Sequence, residues 1–122
     1  MRISSFCIWQ VCFSENLKTD GNPCKNGVTV KNLPEWEGNY VLDGQSDNGH
    51  PIYVANGDER YLYVIETFGV KKWHFSYLPD GLGAYAWGNF HKNCPSEQED
   101  TEWWLFKVDE WRNFDTVLTE IE

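Results

Sequence analysis

Between residues 38 and 65 the chain reads GNYVLDGQSDNGHPIYVANGDERYLYVI. Short apolar or aromatic runs, VL, IYV and YLYVI, are separated by Asp43-Gly44, Asn48-Gly49 and Asn56-Gly57. Asn-Gly and Asp-Gly supply the positive φ angles that tight two-residue turns require, so this stretch predicts successive β-hairpins. In its last run Tyr61, Tyr63 and Ile65 point opposite to Leu62 and Val64, and both sets are apolar or aromatic. A strand with two such faces must be covered on both sides, which predicts a central position in the sheet.

The flanking sequence continues the pattern. Val28 and Val30 share a face of a short strand, followed by a return turn containing Leu33 and Pro34. Asp43-Gly44 is read as a turn between strands. Residues 71–77 place Trp73, Phe75 and Tyr77 on one face and Lys72, His74 and Ser76 on the other, a half-buried strand. After a Pro79-Asp80-Gly81 turn, residues 83–88 form a small-residue strand whose alanine side needs large neighbours to fill it. An acidic loop spans 91–102 and an apolar run 103–108. Residues 109–113 are read as a turn or short helix, and 114–121 as a final strand. Residues 3–13 read as an irregular first strand, and 14–26 as a loop. No segment keeps helical spacing, which predicts one small antiparallel domain over residues 1–122. Its form is a β-sandwich or a meandering, partly open barrel of about eight or nine short strands.

A chain of 122 residues suits one core. Aromatics make up 16% of it, including seven Trp, so the interior should be rich in rings. The formal charge of -9 repels phosphate backbones and argues against nucleic acid as a partner. No apolar run approaches the roughly 20 residues that cross a bilayer, so membrane insertion is not expected. The first residues read as part of the fold rather than a leader, with a leader removed before this numbering left open.

Cys7, Cys12, Cys24 and Cys94 contain no C-x-x-C pair, which removes the common redox and zinc-knuckle patterns. Three disulfide pairings are conceivable in an oxidising compartment. The favoured staple joins Cys24 to Cys94, while Cys7 and Cys12 are close enough to bridge across a turn or bulge. On that basis the expected location is extracellular or secreted, with a cytoplasmic protein holding four reduced thiols as the alternative.

No cofactor motif is present. His50, His74 and His91 lack the spacing of a zinc or triad motif and are read as surface or turn residues, with His74 facing outward. Asp43, Gln45, Asp47 and Asn48 begin like a calcium loop. However, Asn48 stands where the required Gly would be and Val54 where the bidentate Glu would be. Asx turns explain them better, although a different calcium site using Asp43, Asp47 and Asp58 stays open.

Glu97, Glu99, Asp100 and Glu102 lie beside Trp103 and Trp104, the residue types of a carbohydrate hydrolase. They are local to one loop, whereas a catalytic pair must be opposed across a cleft. The tryptophan surplus carries more information, because Trp is rarely fully buried and its N–H needs a partner. Trp36, Trp87, Trp104 and Trp111, with Tyr85 and Asn89, form the candidate ligand surface. The expected function is non-catalytic recognition, of adhesion type, with a glycan or a protein as partner. A small carbohydrate-active hydrolase, or an accessory domain in a larger multidomain chain or assembly, is the alternative.

Overall fold

A computed structural model describes residues 22–55, 57, 59–77, 85–98 and 101–122. These form one antiparallel sheet of nine strands: β1 (Val28–Lys31), β2 (Gly38–Gln45), β3 (Pro51–Ala55), β4 (Tyr61–Thr67), β5 (Val70–Ser76), β6 (Ala86–Asn89), β7 (Trp103–Lys107), β8 (Glu110–Phe114) and β9 (Val117–Glu120). Their spatial order is β8-β7-β6-β5-β4-β3-β2-β1-β9. The fold is therefore all-β, and a single curled sheet rather than two packed sheets. Among the described residues no helix is long and apolar enough to cross a membrane.

The meander follows from local turns, but its curvature is set by the last strand. β8 and β9 occupy opposite ends of the strand order, yet only Asp115 and Thr116 separate them in sequence. So short a link spans about 10 Å at most, so the sheet must curl until its two ends almost meet. Asn32, at the end of β1, fastens the junction. Its side-chain amide donates to the Asp115 carbonyl at 2.8 Å, and the Thr116 hydroxyl donates to the Asn32 carbonyl at 3.1 Å. The result is a partly open barrel.

β4 is the fifth strand of the nine, the central place that its two apolar faces predicted. Leu62 and Val64 are buried on the inner face, and Tyr63 on the outer face is only 3% exposed. The inner face is filled by Tyr40, Tyr53, Trp73, Phe75 and Trp103 around smaller side chains from the other strands. Strand alternation puts them there, and ring pairs such as Tyr53 with Trp73 at 5.9 Å and Phe75 with Trp103 at 5.6 Å interlock across strands. Gly88 makes room for Trp103, since a Cβ at that position would lie 2.8 Å from the indole. The small-residue strand is thus filled by a large neighbour, as its composition required.

Several local expectations are corrected. Residues 110–114 are strand β8 rather than a turn or helix, because they pair residue for residue with β7. Asp43-Gly44 is no hairpin turn. β2 runs through it with a register shift between Leu42 and Gln45, and the turn falls at residues 46–49. The readings of residues 3–13, of Cys7 and Cys12, of the Pro79 turn, and of Asp58, Glu99 and Asp100 lie outside the described residues.

Cys24 and Cys94 form the expected disulfide, buried with the core cluster and with 4.9 Å between Cα atoms. Tyr53 positions both halves. Its hydroxyl accepts from the Cys24 N–H and donates to the Asn93 carbonyl, each at 2.9 Å. Burial pushes this phenol up to about 12, so it stays protonated and keeps donating at any physiological pH.

Candidate functional site

Cross-strand partners in an antiparallel sheet point to the same side, so the register defines the outer face of β4 to β8. One row across it is Tyr63, His74, Trp87, Trp104 and Asn113. A neighbouring row is Ile65, Lys72 and Asn89, and Phe106 pairs with Trp111 on the far side. The Trp87 and Trp104 rings are nearly parallel, with centroids 6.2 Å apart and planes 17° from one another. Trp111 meets Trp87 edge-on at 6.5 Å and Phe106 at 5.3 Å. Trp87 and Trp104 are half-buried, and Trp111 is 42% exposed. Asn89 and Asn113 are exposed at the rim of this array.

Of the residues named from sequence as a ligand surface, Trp87, Trp104, Trp111 and Asn89 therefore come together. Trp36 does not belong with them, because it is 1% exposed and packs in the interior against Phe75 at 5.7 Å. The turn between β1 and β2, closed by the Trp36 N–H to the Leu33 carbonyl, folds both side chains inward. Tyr85 is exposed but sits elsewhere, covering Trp36 with Tyr77 at 5.9 and 5.0 Å respectively.

Beside the array, Ile65, Thr67, Phe68, Val70, Lys72 and His74 line an open cavity of about 410 Å³. Lys72 and His74 were not among the candidate ligand residues. Their signal was alternation with aromatics along β5, which marks their face but not what shares it. The Lys72 ammonium lies over the Trp87 ring, 4.3 Å from its centroid. His74 faces outward as expected, yet its Nδ1 is buried and has no hydrogen-bond partner among the described residues. Burial, reinforced by the charge of Lys72, lowers this imidazole to about 4, so it is neutral at physiological pH.

The loop after β6 is more firmly held than an acidic surface loop need be. Gln98 accepts hydrogen bonds from the Trp73 indole at 2.9 Å and from the His91 and Lys92 N–H groups, and donates to the Asn89 carbonyl at 3.0 Å. His50 is buried rather than superficial. Its Nδ1 shares a hydrogen bond with the Asn93 side chain at 2.9 Å, and its ring meets Phe90.

Glu97 and Glu102 are exposed, and neither lines the cavity. Asp47 is exposed in the turn, where Ser46 bonds Asn48 and the Asn48 carboxamide accepts from the His50 N–H, an Asx-type arrangement. Cys24, Cys94 and Glu120 place ligand-type atoms within 4.8 Å of one another, but the disulfide removes the thiolates a metal would need.

No known protein family matches the chain, and no solved structure does so. The chain is similar to an uncharacterized protein, 002R, of Invertebrate iridescent virus 3, at 30% identity over 95 residues. That alignment covers 75% of this chain and 19% of the viral protein, so the chain spans about a fifth of the length of the relative it matches.

Proposed function

We propose that this domain is a non-catalytic recognition module that binds a glycan on the outer face of β6 to β8. The observation that carries the reading is the partly exposed Trp87, Trp104 and Trp111 array with carboxamides at its rim. Flat rings stack on the apolar face of a pyranose, and side-chain amides satisfy its hydroxyls. A hydrolytic reading lacks comparable support, since the described lining of the adjacent cavity contains no carboxylate to act as acid or base.

A protein partner is the second reading, favoured by Phe68. This large apolar side chain is fully exposed at the tip of the β4–β5 hairpin, where the two-residue turn holds it at a positive φ of 53° and away from the core. The buried disulfide supports an oxidising, extracellular setting. Alignment with a fraction of a longer viral protein supports a module that also occurs within larger chains.

The test is a glycan array read with the unaltered chain and with Trp104→Ala, followed by titration of the hits by tryptophan fluorescence. Retention that disappears in the variant is the expected result. If no glycan is retained, or retention survives loss of the indole, the reading fails. Capture of a purified protein partner that depends on Phe68 would replace it with the second.

A further inference from the structure

The outer face that carries the tryptophans differs from the rest of the surface in its charge. Nineteen acidic residues are set against ten basic ones in the chain. Yet the described outward positions of strands β4 to β8 hold aliphatics, aromatics, hydroxyls, amides, one histidine and one lysine, and no carboxylate. Lys72 is the fixed charge of this face. It makes no salt bridge with any described residue, and its ammonium rests on the Trp87 ring at 4.3 Å while its side chain lines the cavity of about 410 Å³. Two residues along the same strand, in the neighbouring row, the buried Nδ1 of His74 has no hydrogen-bond partner among the described residues.

A lysine held against an indole is partly stripped of water, and no described residue supplies it with an anion. A neutral imidazole beside it adds no charge of either sign to the cavity. The cavity is within the usual size range of small-ligand sites, roughly 300–1,000 Å³.

We propose that Lys72 selects a sugar residue bearing a carboxylate, of the uronic or sialic acid type. Its ring rests on the tryptophan array and its carboxylate enters the cavity to pair with the ammonium. This rests on the glycan reading above and adds the ligand's charge to it. The chain's overall negative charge opposes the approach of such a ligand. That repulsion is screened beyond about 8 Å at physiological ionic strength, whereas a contact pair with Lys72 is not, so the local pairing wins. Asn89, across from Lys72 in the register, is placed to receive a hydroxyl of the same sugar.

The experiment titrates the full chain with uronate- and sialate-bearing oligosaccharides, each beside its carboxyl-reduced neutral counterpart and a sulfated form of that counterpart. Lys72→Met, Lys72→Arg and Trp104→Ala are compared, with circular dichroism and thermal melting confirming that each is folded. The acidic member of a pair should bind about ten-fold or more tightly than the neutral one, the size of one charge-assisted hydrogen bond. Lys72→Met should erase that difference and Lys72→Arg restore most of it. Equal binding of acidic and neutral members, lost in Trp104→Ala, overturns the role of Lys72 and leaves the tryptophan platform standing. An acidic preference that survives Lys72→Met also overturns it. Sulfated ligands binding as well as carboxylated ones overturn the carboxylate assignment. Absence of binding to every oligosaccharide overturns both this proposal and the glycan reading.

Discussion

Trp36 and Trp104 are the same residue type in one small sheet protein, and they meet opposite surroundings. Trp36 lies inside, against Phe75 and beneath Tyr77 and Tyr85, with its indole N–H buried and without a partner among the described residues. Trp104 lies outside, beside Trp87, half-open to solvent. The difference comes from strand parity. Trp103 and Trp104 are adjacent in sequence, and β7 sends the first inward onto Gly88 and the second outward. Tryptophan content alone therefore says nothing about binding; what counts is the side of the sheet on which each ring emerges.

The contrast should break first on stability. Trp36→Ala removes a fully buried indole and should cost about 3–5 kcal/mol, part of it offset because an unsatisfied N–H goes as well. Urea denaturation would measure it, and a loss below about 1 kcal/mol would mean that Trp36 is not core. Gly88→Ala places a methyl group against the Trp103 ring and should cost about 1–3 kcal/mol by overpacking, with near-UV circular dichroism reporting the displaced indole.

Trp104→Ala should cost about 1 kcal/mol or less, since its ring is only half-covered, and under the proposed glycan reading it should abolish retention on the array. A destabilisation as large as that of Trp36→Ala would erase the distinction between the two faces.

The remaining effect is in pH dependence and is absent at neutral pH. The His74 imidazole is held to about 4 when folded against an ordinary 6.5, so the unfolded chain takes up its proton first as pH falls. Stability should be full above pH 6.5, decline between about 6.5 and 4, and gain no further slope from this residue below that. His74→Gln should flatten that part of a stability profile measured by denaturant midpoints. An unchanged profile would show that the ring is better hydrated than its buried Nδ1 implies.

What could be read from sequence followed the range of the interactions. The hairpin at Asn48-Gly49, the central place of 61–65 and the alternation in β5 are local patterns, and each reappears in the sheet. The Cys24–Cys94 pairing was legible because no closer motif competed for these cysteines. Trp36 was misplaced because a turn containing Pro34 looks exposed in one dimension, whereas Leu33 and Trp36 are both folded under it. Strand β8 was missed because EWRNF is too polar to declare itself, and its pairing with β7 decides its conformation. The meeting of Lys72, His74 and Trp87 depends on the register between β5 and β6, which the alternation within either strand does not specify.

The short Asp115-Thr116 junction also bears on when the molecule can be finished. Its hairpins pair neighbours in sequence and can zip as soon as each is synthesised. The β1–β9 ladder, in contrast, joins Val28 to Glu120 and cannot form before the last strand has left the ribosome. Until residues 117–120 have emerged β1 keeps an open edge, so a nascent chain is most exposed to wrong strand partners just before β9 arrives.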